Sequence, residues 1–191
     1  MQAKRDVIVD SALRLFKQQG INSTGVAAIS DAANTSKKTL YKYFSSKEEL
    51  VLAALRKDDE IGRNALLNYI QRAQGEPIEK ILSIFDFYHG WFNSPTFTGC
   101  MFTNSAAEIA DTHEPSRRVC AEHKLIIAEY IEKLLRKAGV LEPVEKAKQL
   151  NLLLEGAIVY AFVIKDKNSA ITAKSMAELI LKQATPRSAQ H

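Results

Sequence analysis

The 191-residue chain has only two cysteines, Cys100 and Cys120, and four histidines. Two thiols are too few for a disulfide framework, and they lack the paired Cys/His spacing of a tetrahedral zinc site. No apolar run approaches the roughly 18 residues that span a bilayer, and the charged N-terminus has no apolar core of the secretory kind. The chain is therefore expected to be cytoplasmic, with no membrane partner, metal or cofactor. Proline and glycine are also sparse, at five and eight, so those present act as punctuation between long periodic segments.

Charge is present but unevenly placed. Ten basic and five acidic side chains fall between Met1 and Lys57, so the net charge of +4 is concentrated at that end. A local positive excess is what a polyanion partner requires. The length suits two domains, placed at residues 1–50 and 51–191.

The organising stretch is Ser23 to Phe44, STGVAAISDAANTSKKTLYKYF. It reads as two short helices joined by a tight turn, the arrangement that sets one helix in a DNA major groove. Val26, Ala27, Ile29, Ala32 and Ala33 give the first helix an apolar face, with Thr24 as its expected N-cap. Asn34 stands at the reversal, where a residue tolerant of left-handed backbone is needed. Ser36 caps the second helix. In it Leu40, Tyr41 and Phe44 can face inward, leaving Lys37, Lys38, Thr39, Lys42 and Tyr43 outside. Ser45-x-x-Glu48 and Ser46-x-x-Glu49 both fit a capping box for a following helix. Lys47 in its first turn is expected at an anion site.

These features in order resemble the N-terminal domain of the TetR family of bacterial transcriptional repressors. They are Gly20 after an amphipathic helix, Ala32-Ala33, Ser36, the Leu40-Tyr41-x-Tyr43-Phe44 run, and Ser46-Lys47-Glu48-Glu49-Leu50. The chain departs from the family pattern at Asn34, usually Gly, and at Lys38, often Gly or another small residue. The resemblance implies an all-α chain: a three-helix DNA-binding domain with the helix-turn-helix, then a larger helical ligand-binding and dimerisation domain. We assign backbone positioning to Thr24, Tyr43 and Lys47, and base or groove contacts to Lys37, Lys38, Thr39, Lys42 and Tyr41.

Beyond the motif, periodicity predicts a helix from Lys47 to Ala73, with Gly62 permitting a bend or a close packing contact. Gln74-Gly75-Glu76-Pro77 punctuates it. Aromatic residues then concentrate from Ile78 onward, and apolar walls with a few polar groups suit either core or a ligand pocket. The family resemblance implies an enclosed inducer in this region. The candidate lining is Phe85, Tyr88, His89, Trp91, Phe92, Phe97, Cys100, Met101, Asn104 and Glu108, for a small apolar or aromatic ligand. Cys100 near a helix N-terminus also admits a redox- or electrophile-sensing thiol, against the ordinary fate of a free cysteine as a small buried hydrophobe. An enzyme using Cys100 with His89, Asp111 or His113 matches no known spacing, and the chain is read as a non-enzyme.

A helix from Glu114 to Ala138 ends at Gly139. Another opens at Pro143 and is apolar around most of its circumference, more than one small domain can cover. A second copy of the chain, packed as a symmetric four-helix bundle, would cover it. Ile127, Tyr130, Ile131, Leu134, Leu153, Ala157 and Ala161 are the candidate interface, with Gly156 permitting close approach. A last helix follows from Ile171 to Gln183, and residues 185–191 form a frayed tail. The functional expectation is a repressor that binds a palindromic operator as a homodimer and is released by a small molecule. The alternatives are thiol sensing through Cys100 and ligand-independent DNA binding.

Overall fold

The computed structural model describes residues 3–109 and 114–184. Ala110, Asp111, Thr112 and His113, and the tail from Thr185, lie outside the described residues. Among those described, the chain forms nine α-helices: α1 Lys4–Gln19, α2 Val26–Ala32, α3 Lys37–Tyr43, α4 Lys47–Arg72, α5 Pro77–Phe92, α6 Met101–Glu108, α7 Glu114–Lys137, α8 Pro143–Val163 and α9 Ser169–Ala184. They form two units, Met1–Arg63 with Cys100–His123, and Asn64–Gly99 with Lys124–His191. The divisions fall inside α4, just before α6, and inside α7.

Local chemistry explains where the helices stop and start. Gly20 takes φ +84° after α1, and its N–H donates to the Phe16 carbonyl at 2.9 Å. Before α5, the Glu76 N–H donates to Glu79 Oε2 at 2.6 Å within a reciprocal capping box, with Pro77 at the first helical position. Gly139 at φ +66° ends α7, and the Val140 N–H reaches back to the Leu135 carbonyl at 3.1 Å, the wide bond of a Schellman motif.

In the first unit, α1 packs on α2 and α3, and α2 on α3. Ile8, Ala12, Ile29, Leu40, Leu50 and Leu55 are fully buried there. Phe102 on α6 stacks on His123 at 3.6 Å, and His123 Nδ1 lies 2.8 Å from Asp59 Oδ1 on α4. In the second unit, α9 packs on both α5 and α8. Lys174 on α9 holds both carboxylate oxygens of Asp86 on α5 at 2.7 Å.

Gly62 makes no close packing contact. It is exposed in the middle of α4, and a Cβ built on it would meet nothing within 4 Å. Gly62→Ala should therefore stabilise α4 by about 1 kcal/mol, raising the thermal midpoint by roughly 2–4 °C for a chain of this size. An unchanged or lowered midpoint in a thermal denaturation series would refute this reading.

Candidate nucleic-acid interface

The second helix of the motif is built by its cap. Ser36 Oγ accepts from the Thr39 N–H at 3.0 Å and lies 2.9 Å from the Thr39 hydroxyl. Ahead of it, Asn34 adopts φ +46°, the left-handed conformation that lets α2 turn sharply into α3. Lys4 spans the motif and donates from Nζ to the Asn34 carbonyl at 2.9 Å, so its ammonium braces the turn. Arg5 lies over the Phe44 ring at 5.1 Å.

Burial then divides α3 into two faces. Leu40 is fully buried and the following Phe44 nearly so. Lys37, Lys38 and Lys42 are exposed and Thr39 is half-buried. Tyr41 and Tyr43 are exposed by 49 % and 45 %, so of the two placements considered for Tyr41, inward or toward the groove, its ring takes the outer face. Three ammonium groups and two phenols thus project from one short, rigidly capped helix.

Two other expected contacts are engaged inside the fold. Thr24 is completely buried, and its hydroxyl donates to the Gly20 carbonyl at 2.6 Å. Gly25, not Thr24, is the N-cap of α2, so Thr24 closes the α1–α2 turn and presents no hydroxyl outward. Lys47 sits in the first turn of α4 as expected, but its Nζ donates to the Ile21 carbonyl at 2.6 Å. The start of α4 is capped by Ser46 Oγ, which accepts from the Glu49 N–H at 3.3 Å, while Glu49 Oε2 accepts from the Ser45 N–H at 2.7 Å.

An open groove of about 520 Å³ runs beside this face, lined by Arg5, Tyr43 and Phe44 and by α4 residues from Glu49 to Glu60. Its cations, Arg5, Arg56 and Lys57, are matched by Asp6, Glu49 and Glu60. The lining charge is balanced, which distinguishes the groove from the cationic outer face of α3.

Residues 8–54 match the family model described as bacterial regulatory proteins of the tetR family, and residues 77–176 match the tetracyclin repressor-like C-terminal domain. The second match alone takes in more than half of the chain. The chain belongs to the TetR family. Over 188 residues this TetR-family regulator is 25 % identical to the HTH-type transcriptional regulator YjdC of Escherichia coli, covering 96 % of each chain. It is 29 % identical over 186 residues to the HTH-type regulator YxaF of Bacillus subtilis, covering 94 % of this chain and 95 % of that one. A crystal structure of a TetR-family regulator from Streptomyces coelicolor superposes with a TM-score of 0.87 at 25 % identity, over 96 % of each chain. These relatives are transcriptional regulators, and the chain is accordingly a DNA-binding regulator of transcription.

The residues expected to line one ligand pocket fall in both units. Phe85, Tyr88, His89, Trp91, Phe92 and Phe97 belong to the second unit, whereas Cys100, Met101, Asn104 and Glu108 belong to the first. Phe85 and Phe92 are core, at 1 % and 0 % exposure. Trp91 meets Phe97 edge-on at 4.9 Å and Tyr88 at 5.8 Å, and Phe87 bridges Tyr88 at 5.7 Å and Tyr69 at 5.5 Å. This array includes Phe87 and Tyr69, two rings absent from the sequence-based candidates. Tyr88, Trp91 and Phe97 are only half-buried. Cys100 occupies the N-cap position of α6, and both it and Cys120 are buried thiols outside any disulfide. Of the residues considered for a nucleophilic site with Cys100, His89 lies in α5, while Asp111 and His113 lie outside the described residues. Glu108 is not part of the aromatic region; its carboxylate accepts a backbone hydrogen bond from Asn22 at 2.7 Å.

The expected dimer residues divide by burial. Ile127, Ile131, Leu134, Ala157 and Ala161 are all buried within their own chain, and Leu153 and Tyr130 are half-buried. Burial pushes the Tyr130 phenol up from its ordinary value of 10.0, so it stays neutral across physiological pH. Ala157 meets α9, where Ser169 Oγ donates to its carbonyl at 2.8 Å; α8 packs on α9, and Ala161 on α8 and Ala170, Ala173 and Ala177 on α9 are buried. The exposed apolar stripe of α8 is a different one: Leu152, Val159, Tyr160 and Val163, exposed by 70, 46, 55 and 67 %. Ile171, Met176 and Leu179 on α9 are exposed as well. A second stripe at helical spacing on α8 was the sequence signal for this face.

Proposed function

We propose that the protein is a ligand-responsive repressor, cytoplasmic and homodimeric, that reads a palindromic operator with paired α3 helices. The observation that carries this reading is the outer face of α3, where Lys37, Lys38, Lys42, Tyr41 and Tyr43 are all exposed on a capped helix of a TetR-family chain. In this reading the lysines and Thr39 reach bases or groove edges, and Tyr43 and the N-terminus of α4 meet phosphates.

Dimerisation is part of the mechanism. One motif makes too few base contacts for a useful specificity ratio, and two related by symmetry double them. The apolar stripes of α8 and α9, with Gly156 open beside Val159, support a four-helix contact between two copies. For the ligand, the half-buried rings Tyr88, Trp91 and Phe97 favour a flat apolar or aromatic molecule in the second unit. Such a ligand releases DNA only if it prefers the non-DNA state of the dimer, and by linkage operator DNA weakens the ligand equally. The continuous helix α4, which has residues in both units, is the element proposed to carry that difference. The two buried thiols make the redox-sensing alternative the weaker reading.

The test is fluorescence anisotropy on DNA from upstream of the gene, beside random duplex, at two salt concentrations. A preference of ~10³ or more for the upstream DNA supports a dedicated operator. Equal affinity with a steep salt slope points instead to ligand-independent, architectural binding. Small aromatic compounds that quench Trp91 should then weaken operator binding; quenching without release would refute the coupling.

A further inference from the structure

Glu108 is the last residue of α6, and the backbone dipole at a helix C-terminus disfavours a carboxylate there. Its position is set by a tertiary contact. Glu108 Oε2 accepts from the Asn22 N–H at 2.7 Å, and the Glu108 carbonyl accepts from Asn22 Nδ2 at 3.3 Å. Gly20 leaves room for the carboxylate: a Cβ there would stand 2.9 Å from Glu108 Oε1. The neighbouring polar groups of the same turn are tied too, the Gly20 carbonyl by Thr24 and the Ile21 carbonyl by Lys47. The turn leads directly to Gly25, the N-cap of α2, and α2 packs on α3. All of these residues lie in the first unit.

We propose that Glu108 is a positioning residue for operator recognition, holding the α1–α2 turn from α6 and thereby fixing the pose of α2 and α3. The proposal rests on the DNA-binding reading above. Base-edge contacts tolerate displacements of only about half an ångström, whereas attraction to phosphates is long-ranged and tolerant. Loosening this turn therefore lowers specific affinity and leaves non-specific affinity standing. Electrostatics alone acts with the opposite sign: removing a negative charge from a DNA-binding unit strengthens binding to every duplex.

The experiment compares full-length wild type with Glu108→Ala, Glu108→Asp and Glu108→Gln. Anisotropy is measured on a duplex selected by the wild type from a random pool and on a random duplex, with hydrogen exchange followed at the Asn22 amide. Glu108→Gln keeps an acceptor at the right reach and should retain the wild-type ratio of specific to random affinity. Glu108→Asp keeps the charge but falls short of Asn22, and should behave like Glu108→Ala. Both should lose about tenfold in affinity for the selected duplex, bind random duplex at least as well as wild type, and exchange the Asn22 amide faster. The proposal is overturned if Glu108→Asp matches wild type while Glu108→Gln does not, if both duplexes are affected equally, or if no variant changes the ratio. A wild type that selects no preferred duplex would instead overturn the operator-binding reading itself.

Discussion

A Val159→Asp, Val163→Asp double variant should remain folded, become monomeric and lose operator affinity by about a hundredfold or more. The three outcomes share one cause. Val159 and Val163 are exposed by 46 % and 67 % in the single chain, so aspartates there face water and cost its fold little. If a second copy covers this stripe, each carboxylate is buried without a partner, which costs several kcal/mol. Separating the copies removes the advantage of two motifs bound at once, worth ~10²–10⁴ in avidity. Sedimentation gives the mass, and the wild-type thermal midpoint should rise with protein concentration while that of the variant does not. A variant that still sediments as a dimer and holds operator as tightly would show that the interface lies elsewhere.

Replacing Lys37, Lys38 and Lys42 together with Ala should abolish operator binding at physiological salt while leaving the fold intact. All three are exposed, whereas Leu40 and Phe44 on the opposite face hold α3 to its unit. Each lysine that meets a phosphate contributes about 0.9 to the slope of log affinity against log salt. Six such contacts in a dimer make that slope shallower by up to about 5. Each lysine that meets a base edge instead costs roughly 1–3 kcal/mol at one operator position and relaxes the preference there. Salt titration of the single variants thus separates the two roles. The control is Lys133, Lys148 and Lys182 changed to Ala, since these are exposed lysines of the second unit. If that triple variant weakens operator binding as much, total charge and not the α3 face drives the association.

Where the chain breaks between helices was legible because each break carries its own short-range chemistry. Asn34 at positive φ, Ser36 capping Thr39, the Ser46 and Glu49 pair, Pro77 and Gly139 all act within a few residues of themselves. The outward lysines of α3 were legible for the same reason, since period and charge agreed. Thr24 does not cap α2 as its position suggests, because its hydroxyl returns to the Gly20 carbonyl, a contact that only the folded turn shows.

The positions settled only by tertiary structure are those where local pattern was degenerate. Helix α8 is apolar on two sides, and periodicity is silent on which side its own chain claims. The packing of α8 on α5 and α9 buries Ala157 and Ala161 and leaves Leu152, Val159, Tyr160 and Val163 outside. Glu108 and Asn22 are separated by 86 positions, and one pair of residues meeting across that distance leaves no spacing to read. Local propensity and capping determined the helices and the motif in sequence, because those forces act over one or two turns. Burial, which depends on every element at once, decided which faces were free to meet DNA or a second chain.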